Sequence, residues 1–114
     1  MSSRQRSKGP TKAEVFAALG DETRLALLTR LARGQRCSIA ELTEGTKLTR
    51  QAVTKHLHVL ERVRMVHGRR EGRESVFEFD PKPVMEMKEY LELVSSQWDS
   101  ALMRLKSFVE SNGA

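Results

Sequence analysis

The sequence predicts a mainly helical fold with a small β-hairpin, and three observations predict it. In several stretches of the 114 residues, apolar side chains recur at spacings of three and four, the period of an amphipathic helix. Serine, threonine or aspartate stands just before four of those stretches, where it can cap a helix N-terminus. Between Val66 and Phe79 the pattern becomes two short strand-like runs around a glycine, as in a hairpin. Aromatic residues make up only 5% of the chain, so aliphatic side chains on helices must supply most of the core.

The elements follow in order. Residues 1–10 are polar and basic and are expected to form a mobile arm. Thr11 and Glu14 have capping-box spacing, so a first helix should run from about Lys12 to Leu19, with Gly20 ending it. Asp21 caps a second, in which Leu25, Leu28, Leu31 and Ala32 form the apolar period before Gly34. Ser38 and Glu41 open a short third helix with Ile39 and Leu42 inward, closed by Gly45. Thr49 caps a fourth, running to about Arg64, whose Val53, Leu57 and Leu60 form a narrow inward stripe. Two strands then flank Gly72, with Phe77 and Phe79 on the face that packs back onto the helices. Asp80 followed by Pro81 starts a last helix.

That last helix carries the most regular period. Val84, Met87, Leu91, Val94, Trp98, Ala101, Leu105 and Phe108 alternate spacings of three and four, a heptad seam sustained for more than three repeats. A helix over residues 84–111 would be about 42 Å long at 1.5 Å per residue, longer than a domain this small is wide. Tyr90, Leu93, Leu102 and Val109 add a flanking strip. An exposed strip of Leu, Trp and Phe is an aggregation liability unless a second copy covers it, so a homodimer is expected. The organisation is thus an arm over 1–10, a helical and hairpin domain over 11–80, and a dimerisation helix over 81–114.

Charge is unevenly placed. The chain carries a net +5, yet Arg4, Arg6, Lys8 and Lys12 meet no acid in residues 1–12, and residues 47–73 hold eight basic side chains against Glu61 and Glu71. Residues 74–114 are net acidic. On a wheel of 100° per residue, Gln51, Thr54, Lys55, His58 and Arg62 fall opposite the inward stripe of the fourth helix. Amide, hydroxyl, ammonium and imidazole on one face suit base edges and phosphates in a major groove. The helix from Ser38, the turn Glu44–Lys47 and the helix capped by Thr49 form a helix-turn-helix. The N–H groups freed at that cap also favour a phosphate. Arg69, Arg70 and Arg73 surround the hairpin glycine, where guanidinium groups can reach backbone phosphates or a minor groove. Together these make a winged helix-turn-helix whose expected partner is double-stranded DNA.

Two stretches carry a closer likeness. FAALGDETRLALLTRL, with Asp21, Thr23 and Arg24, and LTRQAVTKHLHVLERVRMV followed by GRREGRESVFEFDP resemble the ArsR/SmtB family of small bacterial winged-helix repressors over about residues 13–110. The resemblance implies that Thr49, Arg50, Gln51, Thr54 and His56 stand where such proteins commonly meet DNA. It also implies that the first and last helices form a homodimer that represses transcription from an inverted-repeat operator. Where the family often has Ser-Gln-Pro before Ala-Val, this chain has Thr49-Arg50-Gln51, so its operator should differ. It also lacks the family's Cys-x-Cys: Cys37 stands alone ahead of Ser38-Ile39-Ala40-Glu41-Leu42, and no histidine follows His67. One soft ligand per chain is a poor zinc or arsenic site, so no metal and no cofactor is expected. Cys37 reads as a small apolar filler ahead of a redox switch. His56 reads as a packing histidine at the edge of the inward arc, His58 as a phosphate contact.

Other classes fare worse. No apolar run approaches the roughly 18 residues of a membrane span, and the start lacks the apolar stretch of a signal peptide, so a cytoplasmic protein is expected. One cysteine excludes an intrachain disulfide. No Ser-His-Asp set, paired-carboxylate cleft or Gly-rich phosphate loop is visible, and an enzyme is not expected. A winged-helix adaptor for other proteins is the alternative. An effector is left open: Met85, Met87, Tyr90 and Trp98 could line a small pocket, but at heptad spacing they read as core.

Overall fold

The computed structural model describes residues 9–112. Arg4, Arg6 and Lys8 of the basic arm lie outside the described residues. The elements in chain order are α1 (Lys12–Leu19), α2 (Glu22–Leu31), β1 (Cys37–Ser38), α3 (Ile39–Glu44), α4 (Arg50–Arg62), β2 (Val66–Glu71), β3 (Glu74–Phe79) and α5 (Pro81–Asn112). The chain divides into two bodies between Val84 and Met85.

Local capping chemistry sets most helix starts. Thr11 and Ser38 each accept from the backbone N–H three residues on, and Glu14 and Glu41 accept in return from the cap N–H groups, completing both capping boxes. Asp21 accepts from Arg24 N at 3.0 Å. Asp80 Oδ1 accepts from Lys82 N at the start of α5, which begins at Pro81, where the Asp80–Pro81 pair predicts it, and runs to Asn112.

Three helices depart from the sequence reading. In α2 the buried residues are Leu27, Leu28 and Leu31, whereas Leu25 and Ala32 are exposed. The buried arc is therefore turned toward Leu27, away from the edge that Leu25 and Ala32 share. In α3, Leu42 is fully buried but Ile39 only half so. Helix α4 stops at Arg62, short of Arg64, and does so without a glycine. Arg64 takes φ +65, its N–H donates to Glu61 O and the Met65 N–H donates to Leu60 O. This is the paired-bond C-terminal cap in which glycine usually stands.

The sheet has three strands in the order β1-β3-β2, all antiparallel, where the sequence predicts two. Cys37 and Ser38 pair with Phe77 and Val76, so β3 is central and its residues 76 and 77 are buried on both faces. Phe79 is half-exposed, so Phe77 rather than the pair anchors the hairpin. Gly68 lies opposite Phe77 in the ladder, and a Cβ there would meet the ring at 2.5 Å; no other residue leaves room for it. The core of the first body lies among α2, α3, α4 and the sheet. Leu31, Leu42, Val53, Leu57, Leu60, Met65 and Val66 are its fully buried side chains. Cys37 is buried, its Sγ 3.8 Å from Gln35 O.

Candidate nucleic-acid interface

Helix α4 presents its two faces as the wheel requires. Val53, Leu57 and Leu60 are fully buried, while Arg50, Gln51, Lys55, His58 and Arg62 are exposed along the other side. Thr49 Oγ1 accepts from Ala52 N at 3.1 Å, which satisfies one first-turn donor and leaves those of Arg50 and Gln51 directed outward. None of the five exposed side chains has a hydrogen-bond or ion-pair partner among the described residues. Thr54 is half-exposed and its hydroxyl donates to Arg50 O at 2.7 Å. Its proton is therefore committed, and it offers outward a methyl group and acceptor lone pairs. That pairing suits a thymine methyl or an exocyclic amino group better than a carbonyl.

His56 stands apart from this row. It is half-buried, with Nδ1 3.3 Å from Arg24 Nη1 and 3.9 Å from Asp21 Oδ2. Facing a guanidinium donor, Nδ1 acts as the acceptor. The same guanidinium donates to Ala18 O at 2.6 Å and Ala17 O at 3.4 Å, capping the end of α1. Asp21, Arg24 and His56 thus join α1, α2 and α4 at one point. The Asp21 carboxyl is held below its ordinary value, first by the Arg24 backbone N–H and then by the Arg24 charge. Sequence reasoning made Asp21 a helix cap and gave Arg24 no task; nothing in the spacing shows that the two meet a residue more than thirty positions on.

The wing is less uniformly cationic than Arg69, Arg70 and Arg73 suggest. Arg69 Nε lies 2.9 Å from Glu71 and its Nη1 3.9 Å from Glu78, and Arg36 also pairs with Glu71. The Glu71 carboxyl is accordingly held low, chiefly by its hydrogen bond from Arg69. Arg69 is therefore compensated, whereas Arg70 and Arg73 are exposed and unpaired among the described residues. The turn itself is Gly72-Arg73, with Gly72 at φ +64, a left-handed position that favours glycine. Two further contacts fix the wing. Glu61 Oε2 of α4 accepts from Gly68 N at 3.2 Å. At the wing's base His67 Nε2 lies 2.7 Å from Asp80 Oδ2, and this bond is the main reason the Asp80 carboxyl sits below its ordinary value.

On α5, Val84, Val94 and Ala101 are half-buried and Met87 is buried. The large seam residues beyond them are open: Leu91 is 50% exposed, Trp98 64%, Leu105 57% and Phe108 64%. Tyr90, Leu93, Leu102 and Val109 are exposed as well. Among the described residues no three of His, Cys, Asp or Glu cluster as a metal site would need, and no helix is long and apolar enough to cross a membrane.

Comparison with known proteins gives a consistent picture. A family model described as a helix-turn-helix domain matches residues 19–69. An HTH-type transcriptional regulator of Mycobacterium tuberculosis is 32% identical over 106 residues, covering 93% of this chain and 94% of the relative. A Synechocystis protein named as a transcriptional repressor SmtB homolog is 36% identical over 75 residues, 66% of this chain and 56% of that one. Among solved structures, an ArsR-like transcriptional regulator from Rhodococcus superposes with a TM-score of 0.79 at 35% identity, over 87% of this chain and 90% of the other.

Proposed function

Because the chain belongs to the ArsR/SmtB family of helix-turn-helix transcriptional regulators, we propose that it acts in the cytoplasm as a homodimeric repressor on an inverted-repeat operator. One observation carries this reading: a row of exposed, unpaired Arg50, Gln51, Lys55, His58 and Arg62 on α4, beside the unpaired Arg70 and Arg73 of the wing. Helix α4 enters the major groove, where Gln51 and Thr54 read base edges. Lys55, His58 and Arg62 contact phosphates, as do the N–H groups at the Thr49 cap. Arg70 and Arg73 follow the backbone toward the adjacent minor groove, and His56 supports the helix from behind. The seam from Val84 to Phe108, together with α1, joins two copies and sets the distance between their α4 helices. Half-sites then recur one helical turn, or a small multiple, apart.

The test is to select duplexes from a random library and titrate the retained sequence at several salt concentrations. The expected result is a two-fold symmetric site whose affinity falls steeply with salt. A protein that retains no duplex, or one whose affinity is indifferent to salt, overturns the proposal. Ala at Gln51 should reduce discrimination between sites, whereas Ala at Arg70 should weaken all duplexes alike.

A further inference from the structure

The first body holds a cleft that the DNA-binding reading leaves unused. It lies between α2 and the turn that joins α3 to α4, and its volume is about 480 Å³, within the rough 300–1,000 Å³ range of small-ligand sites. Ala26 and Leu48 present apolar surface to it above the buried Leu27 and Leu42, and Arg30 and Lys47 also line it. Neither cation has a hydrogen-bond or ion-pair partner among the described residues, and Arg30 is half-buried. Arg24, Arg36 and Arg69, by contrast, are all engaged.

Gly45 sharpens the case. Its backbone, at φ −86 and ψ 5, is open to any residue, so conformation does not require glycine there. A Cβ at Gly45 would stand 3.1 Å from Arg30 Nη1, so the guanidinium would have to give by a few tenths of an ångström. The unpaired Arg30 guanidinium thus lies close against the turn at Gly45. Glu22 is the single acid on the walls, which leaves a lining of net +1, matched to one negative charge.

We infer that this cleft binds a small amphipathic anion, a carboxylate on a short hydrocarbon body, and that its occupation lowers affinity for the operator. The carboxylate pairs with the planar Arg30 fork while the tail covers Ala26 and Leu48. The second half rests on the DNA-binding reading above. Leu48 immediately precedes the Thr49 cap, and the Thr46 hydroxyl organises the turn by donating to Thr43 O and accepting from Leu48 N. An anion lodged there cancels the net positive charge of the lining beside the start of α4 and so weakens its attraction for an approaching phosphate strand.

Octanoate is a suitable probe, followed by amide shifts of the ¹⁵N-labelled full chain. Saturable shifts are expected at Ala26, Leu27, Gly45, Thr46 and Leu48. Arg30→Gln should weaken binding about tenfold, Gly45→Ala should weaken it by crowding the guanidinium, and Glu22→Gln should strengthen it about twofold. Octanoate should also reduce retention of the selected duplex by the parent chain and not by Arg30→Gln. Shifts confined to α5, or an Arg30→Gln chain that binds octanoate as the parent does, overturn the site. Loss of duplex affinity in Arg30→Gln without octanoate would show that the guanidinium serves the DNA backbone instead, and would overturn it too. Cleft shifts with duplex affinity unchanged overturn the regulatory half. The amide map needs no DNA, so failure of the DNA-binding reading leaves the site separately testable.

Discussion

The body built from α1 to β3 and the helix beyond Met85 solve burial in opposite ways. In the first, Leu31, Leu42, Leu57 and Leu60 are completely withdrawn from water inside a single chain, and the polar row of α4 is what remains outside. In the second, Leu91, Trp98, Leu105 and Phe108 keep half or more of their surface exposed. The first carries recognition chemistry on a surface its own core supports. The second carries an apolar seam that one chain leaves uncovered. On the proposed function, the contrast separates the reading of DNA from the spacing of two readers, and each side can be broken alone.

The largest effect falls on the closed core. Leu57→Ala should cost about 2–5 kcal/mol of unfolding free energy, measured by chemical denaturation, and should abolish duplex binding with it. Trp98→Ala with Leu105→Ala should leave the far-ultraviolet dichroism of the first body in place. It should raise the dimer dissociation constant at least about a hundredfold, seen by sedimentation. A double variant that still sediments as a dimer would remove the contrast. A smaller effect divides the wing. Arg70→Ala with Arg73→Ala should lower the salt dependence of binding by about two counterions. Arg69→Ala should change it less, because Glu71 and Glu78 already hold that charge.

The smallest is a pH effect confined to the first body. Asp21, Glu71 and Asp80 are all held below their ordinary values. The stability they contribute is therefore full above the usual carboxylate range and is lost as pH falls through their lowered values. Asp80→Asn should flatten part of that acid limb in thermal melts recorded between about pH 5 and pH 2. An unchanged limb would show that the His67 contact adds nothing to stability.

What was legible in the sequence was local. Both capping boxes, the Asp21 and Thr49 caps and the α4 stripe depend on residues within one or two turns of each other, and all appear as read. The ends that misled were set by distant partners or unusual backbone. β1 is two residues long and exists only because Phe77 and Val76, some forty positions away, complete it. The α2 pattern fits two arcs equally well on spacing, and only packing against the rest of the core chose Leu27 over Leu25. The end of α4 was hidden because Arg64 adopts a conformation normally announced by glycine. For the site, the row on α4 could be drawn on a wheel. The compensation of Arg69 and the retreat of His56 to Arg24 needed three dimensions.

The bond from Glu61 to the Gly68 backbone has a mechanical side. It runs from the last turn of the reading helix to the first rungs of the hairpin, so the two prongs form a caliper with a fixed gap. A duplex seated between them must match that gap through its own groove width and bend. On the proposed function, base steps lying between the prongs would matter through their stiffness.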